Sequence, residues 1–302
     1  MKGEAEKPVV GRAEVVASDV QRILDPNPGP MTYWGTNTYL LGTAPMVVVD
    51  PGPDIPAHKA AILAAIGGAR VAGVLITHPH RDHSALAPAL ACAVGAPVMG
   101  FGPPGAGRSA LMTRVAEREN LGGGEGVDHT FVPDVTLAEG AGLTLGDTTV
   151  TALHTPGHFA GHLSFVAGDV VLTGDVVMGW STTLISPPDG DVRAFLQTAG
   201  RLRALGAEWF LPGHGPAIDQ PTARLDWLIA HWIERKRQVC AALEGGSPAT
   251  AAELAAAIYY DLDTALLPAA TRNVLAHLLD LWDRGKVHPS DGPLDATRWS
   301  KR

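Results

Sequence analysis

The sequence predicts an α+β fold in which two mixed sheets are sandwiched between helices, an αββα arrangement, followed by a small helical domain. Three observations predict it. β-Branched runs alternate with helix-spaced apolar segments in the first half, strands at hairpin spacing fill the middle, and beyond Pro221 the periodicity is helical. With 302 residues, 46% hydrophobic and 18% charged, the chain is long and apolar enough to bury a full core.

Residues 46–50, Met-Val-Val-Val-Asp, read as a buried strand ending on an acid, and Pro51-Gly52 supply its turn. Residues 58–66 have the spacing of an amphipathic helix and 71–77 form another β-branched strand, which completes a β-α-β unit. A helix over 84–94 leads to Pro97-Val98-Met99, and 108–121 reads as a helix broken by Gly122-Gly123-Gly124. Strands at 143–145, 149–153, 163–166 and 170–172 come at hairpin spacing, so the sheets are expected to be mixed. A helix at 192–205 and a strand at 208–211 complete the sandwich. One long helix over 223–243 then runs to Gly245-Gly246. Beyond it come a helix over 250–258, a turn at 261–263 and a helix over 268–284 ended by Gly285. The chain thus divides into a main domain of residues 1–222, a connecting helix of 223–245 and a C-terminal domain of 246–302.

Composition bounds compartment and partners. Residues 1–8 carry Lys2, Glu4, Glu6 and Lys7 with no apolar leader behind them, and no apolar run is long enough to span a bilayer. The expected compartment is the cytoplasm, with no membrane partner. Cys92 and Cys240, both in apolar helix-like segments, read as reduced core residues. A formal charge of -8 and a pI near 5.8 give no help to the nonspecific binding of polyanions.

The segment His78-Pro79-His80-Arg81-Asp82-His83 directly follows the strand ending at Thr77. Three imidazoles and a carboxylate within six residues, at the carboxyl end of a strand, aim several metal-suitable donors at one point. One short motif cannot fill two coordination spheres, and three further donors each stand just after an expected strand. They are His158 in Thr155-Pro156-Gly157-His158, Asp175 in Thr173-Gly174-Asp175, and His214 in Pro212-Gly213-His214-Gly215. The adjoining glycine in each lets the backbone turn tightly enough to aim the side chain inward. This nitrogen-and-oxygen set suits zinc, and manganese or iron(II) would accept the same ligands.

The order His-x-His-x-Asp-His, then His, Asp and His, resembles that of the metallo-β-lactamase superfamily. The resemblance implies the metallo-β-lactamase fold and two metal ions, one held by His78, His80 and His158, the other by Asp82, His83 and His214, with Asp175 bridging. Asp50, in Asp50-Pro51-Gly52, matches the family's buried Asp-x-Gly, which braces the metal loop. A closer likeness covers nearly the whole chain. Asn27-Pro28-Gly29-Pro30-Met31-Thr32 and Gly35-Thr36-Asn37-Thr38-Tyr39-Leu40 resemble the N-terminal segment of β-lactamase-like protein 2 and its bacterial relatives, a group that places a winged-helix domain after the metal domain. The chain departs from that group in Ala85-Leu86, where Gly-Gly is frequent, and in Tyr33-Trp34.

Two zinc ions so held lower the pKa of a shared water to about 7 and make a bridging hydroxide available as nucleophile. Asp82 is the expected catalytic side chain, ligating and also orienting the hydroxide or passing its proton to the leaving group. Other residues have two readings each. His162 either points into the pocket or caps a strand. Ser181, Thr182 and Thr183 either hydrogen-bond substrate or serve as turn residues. Tyr33 and Trp34 either stack on a planar substrate or pack against the sheet. His58, His129, His154, His231, His277 and His288 have no such context and are read as non-ligands.

Two reactions follow from the resemblance: hydrolysis of a small ester or thioester, with the C-terminal domain as a wall of the pocket, and cleavage of single-stranded RNA, as the likeness to β-lactamase-like protein 2 implies. Residues 247–302 hold six basic against seven acidic residues, too few cations for a phosphate-reading surface, which favours the small-molecule substrate. A true β-lactamase is disfavoured by the lack of an export-type leader and by Asp175. A non-catalytic metal protein is disfavoured because all seven donors are present.

Overall fold

The computed structural model describes residues 6–118, 121, 126–244 and 247–302. The first sheet runs in sequence order: β1 (Ala13–Ala17), β2 (Val20–Leu24), β3 (Asn37–Leu41), β4 (Met46–Val49), β5 (Val71–Leu75), β6 (Val98–Gly100) and β7 (Val135–Thr136). β1 to β4 pair antiparallel, and the pairs from β4 to β7 are parallel. Parallel neighbours need crossovers. α1 (Pro56–Ile66) makes the first of them, and α2 (Arg81–Ser84) with α3 (Ala87–Val94) the second, while α4 (Ala110–Arg118) lies between β6 and β7.

The second sheet is a meander of β8 (Gly142–Leu145), β9 (Thr148–His154), β10 (Leu163–Ala167) and β11 (Val170–Gly174). Through α5 (Val192–Ala204), β12 (Trp209–Pro212) then returns parallel to β11. Both sheets are mixed, as the spacing of their strands predicts.

The period-2 geometry of strands explains why β4 and β11 are buried throughout. Val47 and Val49 point into the space between the sheets with Leu75, Phe165, Leu172 and Leu211. Met46 and Val48 point the other way, under the helices that carry Ile62 and Leu90. On the second sheet Val171 turns outward to Phe195, Leu202, Leu228 and Trp232. Each fully buried aromatic or aliphatic side chain contributes about 1.5–3 kcal/mol, so these three layers hold the sandwich.

Beyond it, α6 (Pro221–Glu244) leads to α7 (Ala251–Ile258), α8 (Leu267–Asp283) and a hairpin of β13 (Val287–Pro289) with β14 (Trp299–Lys301). The hairpin, bridged to Ala249 through Trp299, lies in a region that reads as helical in sequence; its strands are three residues each, too short for a periodicity signal. α7 starts at a capping box, in which Thr250 accepts from the Glu253 amide and the Glu253 carboxylate accepts from the Thr250 amide. Leu254, Val274, Leu278 and Trp299 pack with Leu111, Met112 and Val115 of α4, so the last core is shared with the sandwich. The glycines 122–124 and 245–246, expected to end helices, and with them the boundary near Gly245, lie outside the described residues. α6 begins two residues before the expected connector, at Pro221. Cys92 corrects the expectation of a core thiol. Ala87, Leu90 and Ala91 form the buried face of α3, which turns Cys92 outward, and it is exposed; Cys240 is half-buried.

Candidate metal centre

The loops after β4, β5, β9, β11 and β12 all open at the same rim of the sandwich, and the two sheets are tied there by the bond from the Asn37 amide to the Gly213 carbonyl, 2.8 Å. The loop after β5 carries His78, His80, Asp82 and His83. His158 follows β9, Asp175 follows β11 and His214 follows β12. Close approach requires glycine beside three of these donors, and a Cβ on Gly157 would lie 2.7 Å from Phe195 Cα. A Cβ on Gly174, whose φ is +47°, would lie 2.6 Å from His162 Nε2, and one on Gly213 would lie 2.5 Å from Asp175 Oδ1.

The seven side chains fall into three overlapping groups: His78, His80 and His158; His78, His83 and Asp175; and Asp82, His83 and His214. His80 Nδ1 lies 2.8 Å from His78 Nε2 and 3.2 Å from His158 Nε2. In the other half His83 Nε2 and His214 Nε2 are 3.2 Å apart, and His214 Nε2 stands 3.3 Å from Asp82 Oδ2 and 3.4 Å from Asp175 Oδ2.

The outer ring nitrogens are taken. His158 Nδ1 donates to the Leu184 carbonyl (2.7 Å), His214 Nδ1 to the Gly35 carbonyl (3.2 Å) and His83 Nδ1 to Asp50 Oδ2 (2.9 Å). Each of these bonds fixes the tautomer that leaves a lone pair on Nε2. Asp50 serves both halves. It accepts the Thr77 amide at 2.8 Å and the Thr77 hydroxyl at 2.7 Å, and that hydroxyl in turn meets His78 Nδ1 at 3.0 Å. Asp50 itself sits at φ 49°, a left-handed conformation unusual for a non-glycine residue.

Electrostatics divide the halves. Burial holds the His78, His80 and His158 imidazoles below their ordinary values, His80 at about 3, so these rings are neutral donors. Burial would do the same to His83 and His214, but the carboxylates of Asp175 and Asp82 outweigh it, lifting His83 well up and His214 to about 9. Lone pairs that face one another at 2.8 and 3.2 Å, together with a buried Asp175 Oδ1 that has no hydrogen-bond partner, lack an electrophile. Ligand atoms about 2.1 Å from one tetrahedral ion are themselves roughly 3.4 Å apart, so the donor set fits divalent metal.

Beside the donors opens a cavity of about 800 Å³, lined by His80, Asp82, His158 and Asp175 and by residues from across the chain. Met31, Phe159, Met178 and Leu184 give it an apolar side; Pro268, Ala269, Thr271 and Arg272 of α8 close it from the C-terminal domain. Sequence reasoning did not find these wall residues, since nothing local marks an apolar side chain as facing a cavity. Thr77 also went unremarked, although its place just before His78 could have suggested a link to Asp50.

Among the residues with two readings, His162 is fully buried, its Nδ1 on the Thr155 hydroxyl at 2.9 Å and its Nε2 accepting from the Asp175 amide at 3.3 Å, so it props the loop that carries Asp175 and is not among the residues lining the cavity. Thr183 is likewise fully buried and donates to the Val176 carbonyl, and neither Ser181 nor Thr182 lines the cavity. Tyr33 is 41% exposed and stacks on Trp180, centroids 4.9 Å apart, with Trp34 at the same distance on a tilted plane; neither residue lines the cavity.

The fold and this constellation define a protein of the αββα class with a candidate metal site, and comparison with known proteins gives the class its name. The model of the metallo-beta-lactamase superfamily matches residues 31–214, and that of the beta-lactamase associated winged helix domain matches residues 250–299. The chain belongs to the metallo-beta-lactamase superfamily, whose members are mostly metal-dependent hydrolases and typically bind divalent metals. It is 28% identical over 287 residues to a beta-lactamase-like protein 2 homolog of Caenorhabditis elegans, covering 91% of this chain and 88% of that one. To an atrochrysone carboxyl ACP thioesterase of Aspergillus fumigatus it is 29% identical, covering 83% of this chain and 77% of the relative. A metallo-beta-lactamase family protein from Thermus thermophilus superposes with a TM-score of 0.75 at 25% identity, covering 95% of this chain and 100% of the other. No helix among the described residues is long and apolar enough to cross a membrane.

Proposed function

We propose that the chain is a dinuclear-metal hydrolase, loaded with zinc, that cleaves a small ester or thioester. The observation that carries this reading is a set of converging donors, lone pair toward lone pair, at the edge of a cavity with one largely apolar side. His78, His80 and His158 would hold one ion, Asp82, His83 and His214 the other, with Asp175 shared. When bound, such a pair supplies a hydroxide at neutral pH and polarises the attacked carbonyl. Asp82, 30% exposed and part of the cavity lining, is the donor best placed to pass a proton to the leaving group. Asp50 and the Leu184 and Gly35 carbonyls keep the imidazoles in the ligating tautomer.

Single-stranded RNA cleavage is the second reading, favoured by the likeness to beta-lactamase-like protein 2 over nine-tenths of the chain. Against it stands α8, the helix that a winged-helix module would lay in a groove. Residues 273–281 of α8 are all buried, and its first turn faces the cavity. The test is a side-by-side assay of the full chain, its metal content measured, on a thioester panel and on unstructured RNA. Two metal ions per chain with thioester turnover are expected. RNA cleavage alone would replace the substrate class, and absence of stoichiometric metal would remove the hydrolase reading.

A further inference from the structure

The shape of the cavity says more than that its substrate is small. On the donor side the wall is built by Phe159, whose ring centroid lies 5.4 Å from that of His80, and by Leu184, whose carbonyl holds His158. Pro268 and Ala269 in the first turn of α8 line the same cavity from the C-terminal domain. These two walls are fastened to each other. The Ile185 amide donates to Asn273 Oδ1 at 2.8 Å, and the Arg272 guanidinium donates to the Ser186 hydroxyl at 2.9 Å and to the Leu121 and Pro187 carbonyls. The gap between them is therefore a fixed dimension.

Two of the cavity's four charged residues beyond the donors are committed. Asp189 in the lining accepts twice from Arg108, at 2.6 and 3.1 Å, and Arg272 is engaged as described. Arg81 and Asp295, the other charged lining residues apart from the donors, are solvent-exposed. What meets a substrate beyond the donors is mainly carbon, with the adaptable Met178 and Met31 completing the surface. A volume of about 800 Å³ lies within the range of about 300–1,000 Å³ that holds a sizeable organic ligand, far more than an acetyl group fills.

We propose that the substrate carries an extended apolar acyl group, lodged between Phe159 and Leu184 on the donor side and the first turn of α8 on the other, and that Ala269 sets the length accepted. This inference rests on the ester or thioester reading above. The C-terminal domain then acts as the specificity wall of a site whose chemistry belongs entirely to the sandwich. Ala269 is half-exposed and lines the cavity, so a larger side chain there would project into it.

The experiment uses metal-loaded full-length protein and straight-chain thioesters of one common thiol, acetyl to octanoyl. kcat/KM is expected to rise about fourfold per methylene while the chain fits. Ala269→Phe should cut the octanoyl-to-acetyl ratio by at least about tenfold, while Ala256→Phe, on the exposed side of α7, leaves the ratio as in the parent. A ratio independent of length, or one that Ala269→Phe does not move, overturns the proposal while the hydrolase reading stands. If no thioester is turned over, that reading fails, and the slot is judged by calorimetric titration with straight-chain carboxylates. Affinity that climbs with chain length in the parent and is flat in Ala269→Phe supports it; affinity flat in both overturns it.

Discussion

Asp280 and Asp175 are both buried carboxylates set among cationic or ionisable side chains, and the protein has completed the first and not the second. Asp280, 3% exposed on α8, accepts from Arg193 Nε at 2.9 Å, Lys236 Nζ at 2.6 Å and Arg284 Nε at 2.9 Å, so helices α5, α6 and α8 all meet on its two oxygens. Asp175 Oδ1 has no hydrogen-bond partner among the described residues; His83 Nε2, at 3.5 Å, is beyond good bonding distance. A polar cluster whose members satisfy one another is architecture. One whose lone pairs face each other is unfinished without a ligand, and evolution tolerates that cost only where the ligand is part of the function.

The largest expected effect comes from the unfinished cluster. Asp82→Asn keeps the size of the side chain and one oxygen but removes its charge and its basicity. Turnover should fall by about 10²–10⁴, the range of a lost general acid or base, while the neutral imidazoles His78, His80 and His158 retain metal. Kinetics beside elemental analysis of the same preparation checks this. Full turnover in that variant would take Asp82 out of the mechanism.

Asp280→Asn should instead leave the chemistry alone and strike stability. Burial would raise the Asp280 carboxyl, but hydrogen bonds from Lys236, Arg284 and Arg193 bring it down to about 2. A depressed carboxylate contributes stability that is complete above its unfolded value, near 4, and lost as pH falls toward 2. The variant should therefore be less stable at pH 7 by about 2–3 kcal/mol, below the 3–5 of a fully buried pair because its partners are 28–47% exposed. Its stability should also fall less steeply than the parent's between pH 4 and 2. Denaturant titrations at both ends of that interval decide the matter; parallel curves would mean that the junction does not depend on this charge.

The same contrast explains what could be read from the sequence. The donors were legible because each follows a strand and adjoins a turn, so a short stretch such as 77–83 carries both its position and its chemistry. Strands like β4 announce themselves by an unbroken apolar run, and α7 by its capping residue Thr250. The shared core between α4 and α8 and the fastening of Ile185 by Asn273 join residues about 90 and more positions apart, and no local pattern encodes such a meeting. Tyr33 and Thr183, which carry two readings in sequence, show the converse. Their residue types suit a binding surface or packing equally, and only the fold stacks Tyr33 on Trp180 and gives the Thr183 hydroxyl to the Val176 carbonyl.

Asn273 lies between the two kinds of cluster and offers the smallest and sharpest effect. Its Oδ1 accepts from the amide of Ile185, which is fully buried, and the preceding carbonyl, Leu184, orients His158. Asn273→Ala strands that amide, at a cost of about 1–2 kcal/mol, visible as a lower unfolding midpoint. Were the bond purely architectural, nothing else would change. If it also positions the Leu184 carbonyl, His158 loses its fixed tautomer, and metal affinity should drop by roughly tenfold, as when an outer partner of a ligating imidazole is removed. Asn273→Asp keeps an acceptor at the same place and should recover metal affinity, because that readout depends on the accepted hydrogen bond. A destabilised Asn273→Ala with unaltered metal affinity would confine this bond to packing, and the metal centre would then owe nothing to it.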